Sequence, residues 1–256
     1  MPILVFILIL ILFFNPKILP RLGHALGSHS RKPFRQAKWM WSDLTGTEDE
    51  SIRAERDYGR ECARAFARQF SGRASRPNQE LVAAVGAELA AAVKDPRREF
   101  RFTAAPAAVC NAFALPGGFV FITESLLDLC EHDRGEIAFF LGHEIGHILR
   151  GHARDQLTAS AFLNVVMARL PSAGPMLRQV LGKGYSRTME LEADREAARL
   201  AAAAGFDAGA SIRALARLTR ISPDASGLAE YFSSHPPFAE RIRELEQCLG
   251  PMGLQS

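Results

Sequence analysis

Residues 143–147 read HEIGH, and the spacing of the two histidines brings them together if the segment is an α-helix. His143 and His147 are four residues apart, so on a helix both imidazoles lie on one face, one turn apart. Two neutral imidazoles in that arrangement can bind one tetrahedral Zn²⁺ at about 2.0–2.1 Å each. Glu144 lies about 100° further round the helix, where it can reach an activated water without binding the ion. This arrangement of two ligands and a general base is typical of zinc-dependent proteases.

The residues around the motif support a buried helix. Residues 136–157 contain no proline, and apolar side chains recur at the three- and four-residue spacing of a buried face: Ile137, Phe140, Leu141, Ile145 and Ile148. Gly142 and Gly146 are unfavourable in a helix interior, which indicates close approach of another backbone or a ligand, or simply tight helix packing. His152 would lie on the side of this helix opposite His143, so we expect it at the surface or behind a ligand.

A second proline-free segment, residues 184–198, offers a third metal ligand. It is rich in Glu and Ala and is predicted to be helical. Glu190 and Asp194 share one face, whereas Glu192 lies about 200° away from Glu190. We expect Glu190 to be the third ligand, which leaves a fourth position for water, and Asp194 to accept a hydrogen bond from a ligand histidine. The alternative is an ordinary solvated face of charged side chains.

Several blocks of the chain resemble a known family in their order and spacing. They are NAFALPGGFVFITESLL at 111–127, EIAFFLGHEIGHILRGH at 136–152, GYSRTMELEAD at 184–194, AGFD at 204–207 and HPPFAERI at 235–242. The chain is similar to the zinc metallopeptidases that include HtpX, the CAAX prenyl proteases, the Oma-type mitochondrial protease and BepA. It looks most like the BepA-like branch without its repeat domain. The resemblance implies a gluzincin that binds one Zn²⁺ per chain, with His143, His147 and Glu190 as ligands, Glu144 as catalytic base and Asp194 behind a ligand.

The predicted fold class is α+β and mostly helical, with a zincin-like core and a small β-sheet or hairpin beside the HEIGH helix. Residues 111–120 alternate around Pro116-Gly117-Gly118, which predicts a strand, a tight turn and a second strand. In the family this segment is an edge near the active site. An extended substrate could add to it by main-chain hydrogen bonds, with Asn111 and Phe113 as substrate-binding residues. A plain structural hairpin is the alternative.

His235 precedes Pro236-Pro237, which places it in an extended or turn conformation. The resemblance implies that it lies beside the metal. There it would be a catalytic helper that stabilises the oxyanion, or a switch that occupies the open metal position. The alternative is a loop histidine at the start of the last helix. We expect Arg241 to anchor this loop.

Composition fits one globular domain with an added N-terminus. The 256 residues are 48% hydrophobic and 23% charged, as in folded domains. Residues 1–42 carry six basic residues and no acidic one, whereas the whole chain has a net charge of +3, so the remainder carries −3. A nucleic-acid partner is therefore not expected. The basic residues follow an apolar run, residues 3–14, where they would favour anionic membrane lipid.

The apolar run is too short for a simple membrane span. Twelve residues of helix reach about 18 Å, against about 30 Å for a bilayer core. The run could be a signal segment, a short anchor or an interfacial helix. We assign residues 1–23 to this anchor or signal, 24–50 to a polar linker and 51–256 to the catalytic domain.

The side of the membrane is predicted from two opposing observations. The positive flank after the apolar run favours a cytoplasmic location for the rest of the chain. The family resemblance favours the periplasmic or other extracytoplasmic side, which we adopt for the catalytic domain.

Four cysteines, Cys62, Cys110, Cys130 and Cys248, show no CxxC pairing and could form two disulfides or remain buried thiols. Helices are also predicted over 50–70, 79–94, 206–219 and 238–248, and a short strand over 99–103. Residues 158–183 are predicted to form a mobile helical lid or two packed helices.

These features predict a metalloendopeptidase that hydrolyses protein or peptide substrates with a zinc-activated water and Glu144 as general base. The expected setting is membrane or envelope protein quality control. The alternative, from a different functional class, is a latent or non-proteolytic zinc-binding module that assists assembly.

Overall fold

The computed structural model describes residues 47–67, 72–152, 185–207, 209–220, 235 and 238–250. Within them, seven helices and three strands follow in the order α1 (Glu48–Ala67), α2 (Arg76–Ala92), β1 (Arg101–Ala105), β2 (Ala112–Leu115), β3 (Phe119–Thr123), α3 (Glu124–Leu129), α4 (Arg134–Leu149), α5 (Arg187–Ala203), α6 (Ala210–Thr219) and α7 (Phe238–Leu249). The predicted mostly helical α+β class is confirmed. The predictions for residues 1–23, for 158–183 and for most of the linker lie outside the described residues.

The three strands form one mixed sheet in the order β1-β3-β2. β1 runs parallel to β3, and β2 pairs antiparallel with β3 through a tight turn, as predicted for the hairpin. The turn requires glycine, because Gly117 and Gly118 have φ angles of +75° and +89°. A β-carbon on Gly118 would also lie 1.9 Å from the Glu99 carbonyl oxygen.

The two outer strands of the sheet have different edges. On β1 the side-chain amide of Gln79 donates to the Phe102 carbonyl at 3.1 Å and accepts the Ala104 N–H at 3.0 Å. The side chain thus satisfies the two main-chain groups as a neighbouring strand would. β2 lies on the opposite side of the sheet and packs against α4.

α4 is a buried helix that begins with an aspartate cap. The Asp133 side chain accepts the Glu136 N–H at 2.8 Å, and every residue from Glu136 to Ile148 is buried. The helix ends at Leu149, and Gly151 has a φ of +73°. The predicted helix is therefore interrupted at residues 150 and 151 by this glycine conformation, and its predicted part at 153–157 lies outside the described residues.

α5 packs directly along α4. A β-carbon on Gly146 would lie 2.9 Å from the Ala193 carbonyl oxygen, and one on Gly142 would lie 3.2 Å from the Ala197 α-carbon. The two glycines therefore serve close helix packing, one of the two uses considered from sequence. Ser186 caps α5 by accepting the Met189 N–H.

α1 begins earlier than the predicted domain boundary at residue 51. Thr47 and Glu50 form a capping box, since each side chain accepts the backbone N–H of the other residue. The last residues of the predicted linker, Glu48 to Glu50, are therefore the first turn of α1. The other predicted helices, 50–70, 79–94, 206–219 and 238–248, differ from α1, α2, α6 and α7 by at most four residues at either end, and the strand predicted at 99–103 is observed at Arg101–Ala105.

All four cysteines are free thiols, so the disulfide alternative is not observed. Cys110 and Cys130 are buried, whereas Cys62 is half-buried and Cys248 is exposed. Burial raises the pKa of the Cys130 thiol well above its ordinary value. Among the helices that the structure describes, none combines the length and apolar character needed to cross a bilayer.

Candidate metal centre

Four side chains with metal-binding atoms converge in the protein interior. His143 and His147 come from α4, Glu190 from the first turn of α5, and His235 from the chain before α7. One nitrogen or carboxylate oxygen of each lies within 4.8 Å of all the others. None of the four residues is more than 3% exposed. The sequence predicted the first three together, Glu190 as the third ligand expected after the HEIGH motif, and the family resemblance added His235.

The distances within this cluster fit one shared cation. Nitrogens bound to a tetrahedral Zn²⁺ at 2.0–2.1 Å lie roughly 3.3 Å apart. The Nε2 atom of His143 is 3.0 Å from Nε2 of His147 and 3.3 Å from Nδ1 of His235. The two Glu190 oxygens lie 3.4 and 3.6 Å from the same two Nε2 atoms. Imidazole nitrogens that face one another and a buried carboxylate need a shared proton or cation between them, so the donor set fits zinc.

The outer nitrogen of His143 is bound to a buried ion pair. Its Nδ1 donates to Asp194 at 2.8 Å, as predicted, and Asp194 accepts two hydrogen bonds from Arg241 at 2.6 and 2.7 Å. Arg241 is fully buried and also lies 3.1 Å from Glu190. Burial alone would raise the pKa of Asp194, but the charge and hydrogen bonds of Arg241, together with His143, lower it to about 2. Asp194 is therefore ionised at neutral pH.

Arg241 also holds the segment that carries His235. Its guanidinium donates to the His235 carbonyl oxygen at 3.3 Å. This contact agrees with the predicted anchoring of the loop. One arginine thus connects three parts of the site: a candidate ligand, the residue behind another ligand, and the loop histidine.

The outer side of His147 is covered by residues that sequence spacing did not assign. Its Nδ1 lies 2.9 Å from Nδ1 of His152, and the Tyr185 ring stacks on it with centroids 3.8 Å apart. His152 is 3% exposed, so the surface position considered from sequence is wrong, and the side chain lies behind His147, a predicted ligand. Burial holds the pKa of His147 well below its ordinary value, which favours the neutral form that binds metal.

Glu144 lies beside the cluster without joining it. Its carboxylate is 1% exposed, and Oε1 has no hydrogen-bond partner within the described structure. Oε1 lies 3.8 Å from Nε2 of His235. Burial raises the pKa of Glu144, although His235 and His143 oppose the shift. A buried carboxylate of raised pKa with one oxygen that lacks a partner is suited to accept a proton from a water molecule.

The candidate substrate edge is β2, but its outward main-chain groups belong to residues other than those predicted. The Thr123 N–H donates to the Asn111 carbonyl, and hydrogen-bonded pairs alternate along an antiparallel ladder. Asn111 and Phe113 therefore direct their main-chain groups into the sheet, where Phe113 pairs with Phe121. The outward main-chain groups are those of Ala112 and Ala114. Which residues alternate outward depends on strand register, which the sequence did not define.

Comparison with known proteins agrees with the geometry. The chain is 31% identical over 147 residues to the mitochondrial metalloendopeptidase OMA1 of Schizosaccharomyces pombe, covering 54% of this chain and 43% of that protein. It is 27% identical over 161 residues to human OMA1, covering 55% and 30%, and 29% identical over 147 residues to the metalloprotease YcaL of Escherichia coli, covering 53% and 56%. The chain thus spans less than half the length of these OMA1 relatives.

The family comparison covers the whole candidate centre. A model of peptidase family M48 matches residues 76–249, a range that contains α4, Glu190, His235 and Arg241. The match extends over more than half of the chain, well beyond the HEIGH motif. Sequence match and assembled site agree, and the chain belongs to peptidase family M48.

Proposed function

We propose that the protein is a zinc-dependent metalloendopeptidase with His143, His147 and Glu190 as metal ligands and Glu144 as general base. The observation that carries the proposal is the buried convergence of these ligand atoms next to an unpartnered Glu144 oxygen. Membership of a peptidase family supports the same activity. The nitrogen and oxygen donors favour Zn²⁺, with one ion per chain.

Each residue has a defined task in this mechanism. When bound, the zinc ion supplies Lewis-acid polarisation of the scissile carbonyl and lowers the pKa of water. Glu144 takes the proton of the attacking water and transfers it to the leaving amine. Its burial raises its pKa and keeps the carboxylate basic enough for both steps. Asp194, itself ionised by Arg241, keeps the proton of His143 on Nδ1 and its Nε2 lone pair directed at the ion.

We further propose that an extended peptide binds along β2. The outward N–H and C=O groups of Ala112 and the C=O of Ala114 would pair with its main chain. The Ala114 N–H also acts on the Glu144 carboxylate, lowering its pKa, so this edge lies directly beside the proposed base. Substrates are therefore protein segments that can adopt an extended form.

A second candidate function rests on the position of His235. Structural zinc sites are closed by four protein ligands, and catalytic sites keep one position open. Nδ1 of His235 lies 3.1 Å from Glu190 and 3.3 Å from His143, which is the position of a fourth donor. The centre could therefore belong to a latent enzyme that opens when His235 moves away, or to a non-proteolytic zinc module.

The test is casein cleavage by the zinc-loaded full chain purified in detergent, with two variants. Glu144→Gln should bind zinc as the wild type does and lose activity by about 10²–10⁴-fold, because it cannot accept a proton. Retained cleavage in this variant would exclude Glu144 as the base.

His235→Ala separates the roles of the fourth donor. Higher activity than the wild type identifies an inhibitory ligand, and lower activity with unchanged zinc affinity identifies a helper at the oxyanion. If all three proteins bind zinc and none cleaves casein, the non-proteolytic module is the better description.

The cellular setting is also proposed and has a separate test. Residues 1–23 would attach the protein to a membrane, with the catalytic domain on the extracytoplasmic side and a role in protein quality control. Protease protection of the domain in intact cells, compared with permeabilised cells, measures the side directly. Digestion only after permeabilisation of the inner membrane would place the domain in the cytoplasm.

A further inference from the structure

Two side chains form a chain of contacts behind His147. Nδ1 of His147 lies 2.9 Å from Nδ1 of His152, and Nε2 of His152 lies 3.3 Å from a carboxylate oxygen of Glu192. His152 is buried, whereas the Glu192 side chain is 39% exposed. The three residues therefore connect the candidate metal centre to the surface of α5.

We propose that His152 and Glu192 are positioning residues that fix the tautomer and orientation of His147 as a metal ligand. The inference rests on the proposed zinc site. It assigns these residues no contact with the substrate or with the reacting atoms.

The direction of the two hydrogen bonds follows from the residues at either end of this series of contacts, His147 and Glu192. Nε2 of His147 faces the other donors, so it needs a free lone pair to bind a cation. A neutral imidazole carries one N–H, which must then be on Nδ1 of His147 and donate to Nδ1 of His152. His152 consequently carries its proton on Nε2 and donates it to Glu192. A carboxylate can only accept at this end, which makes the arrangement self-consistent.

The local backbone explains how His152 reaches this place. On a continuous helix it would lie opposite His143, away from the metal. α4 instead ends at Leu149, and Gly151 with its φ of +73° turns the chain back towards His147. Glu192 lies about 200° from Glu190 on α5, so it cannot contact the same ligands directly. The imidazole of His152 bridges that gap.

The two ligand histidines are thus supported in different ways by one helix. His143 donates directly to Asp194, whereas His147 reaches Glu192 through His152. Tyr185 stacks on the His147 ring with an interplanar angle of 19°, which hinders rotation of the ring out of this hydrogen bond. Partners of this kind affect metal affinity or activity by about 10–100-fold when removed.

The experiment measures zinc affinity of the full chain in detergent by competition with a chromophoric chelator. His152→Leu removes the acceptor and should weaken zinc binding about 10–100-fold. His152→Asn keeps an amide oxygen that can accept the proton and should recover most of the affinity. Glu192→Leu should weaken binding less than His152→Leu, because it acts through the intervening ring. Glu246→Leu, at an exposed position of α7, is the matched control and should bind zinc as the wild type does.

A second readout reports the tautomer itself. In the zinc-bound wild type, ¹⁵N NMR of the histidine rings should show His147 protonated on Nδ1 and His152 protonated on Nε2. Loss of the His147 signal pattern in His152→Leu, with recovery in His152→Asn, supports positioning. Equal weakening of zinc binding by both His152 variants would instead show a packing role and overturn the proposal.

The remaining outcomes separate this inference from the proposed function. If the wild type binds no zinc, the proposed metal site fails and this inference fails with it. If the wild type binds zinc and His152→Leu binds it within twofold, only the positioning role is overturned. Should His152→Leu fail to fold, the half-exposed Glu192→Leu variant provides the test. Zinc affinity equal to that of the wild type in Glu192→Leu would contradict the proposal.

Discussion

At the level of single residues, helical geometry was reliable within each helix and failed where α4 ended. It placed His143 beside His147 and Glu190 in line with Asp194, because four residues make about one turn, and Glu190 was joined to the histidines because the HEIGH motif calls for a third ligand. The same reasoning placed His152 opposite His143 and left two positions open for it, the surface or behind a ligand, since it assumed a helix through residue 157. The sequence contained one signal of the reversal, Gly151, but a glycine alone does not show that φ is positive.

The burial of Arg241 could not be predicted from the sequence. The sequence suggested only that it anchors a loop, whereas the structure buries its guanidinium between Asp194 and Glu190. A buried arginine of this kind is identified only when its two carboxylate partners, about fifty residues earlier in the chain, are known to lie beside it.

Replacement of this arginine should be costly to folding. Arg241→Met leaves two carboxylates buried without their counterion, so we expect a loss of about 3–5 kcal/mol in the free energy of unfolding. Urea unfolding of the zinc-free protein measures it. Arg76→Met is the control, because Arg76 pairs with Glu80 at the surface and should change stability by less than about 1 kcal/mol. Equal stabilities of the two variants would show that the buried pair contributes little.

At the level of elements, the hairpin was predictable and its outward face was not. Alternation around Pro116-Gly117-Gly118 indicated two strands and a turn. Side-chain alternation does not show which main-chain groups pair within the sheet, because that depends on the register with β3. Asn111 and Phe113 were therefore named for substrate binding, although the outward main-chain groups are those of Ala112 and Ala114.

Proline substitution tests the substrate edge. Ala112→Pro removes an outward N–H and leaves the β2–β3 bonds intact, as tolerated in an edge strand. Loss of one main-chain hydrogen bond costs about 1 kcal/mol, so kcat/KM for a peptide should fall roughly fivefold. Zinc affinity should not change. Phe113→Pro, which removes a bond within the sheet, should instead lower the unfolding temperature. Unaltered kcat/KM in Ala112→Pro would argue against binding along β2.

At the level of the whole molecule, the sequence predicted the class and the order of helices because their apolar periodicity is strong. The close packing of α4 on α5 could be predicted from the sequence only in part. Gly142 and Gly146 suggested a close neighbour, but not that Ala193 and Ala197 of a helix about fifty residues later would be it.

Acid stability depends on the ionised carboxylates in the core. The pKa of Asp194 is about 2 in the folded protein, below its ordinary value of 3.8. A lowered carboxyl pKa contributes stability above the unfolded value, and the contribution is lost as pH falls through the folded value. For zinc-free protein we expect unfolding free energy to fall by about 2 kcal/mol between roughly pH 4 and pH 2 from this group.

The control for the acid transition is Asp194→Asn, which should show a flatter pH dependence over the same interval. Glu190, whose pKa is also lowered through its hydrogen bonds to His147 and His235 against the effect of burial, contributes with the same sign. Parallel pH profiles of wild type and Asp194→Asn would mean that Asp194 does not govern acid unfolding.

The Gln79 side chain occupies the outer edge of β1, so a further strand could be added to the described sheet only at the β2 edge. With the outward groups of Phe102 and Ala104 already satisfied, an incoming strand would have to pair, within the described sheet, with the outward groups of β2. Any second copy of the chain that paired through this sheet would have to occupy the edge beside Glu144. Self-association by strand pairing and access of a peptide to the centre are therefore mutually exclusive. A second copy bound at β2 would act as a competitive inhibitor of peptide binding.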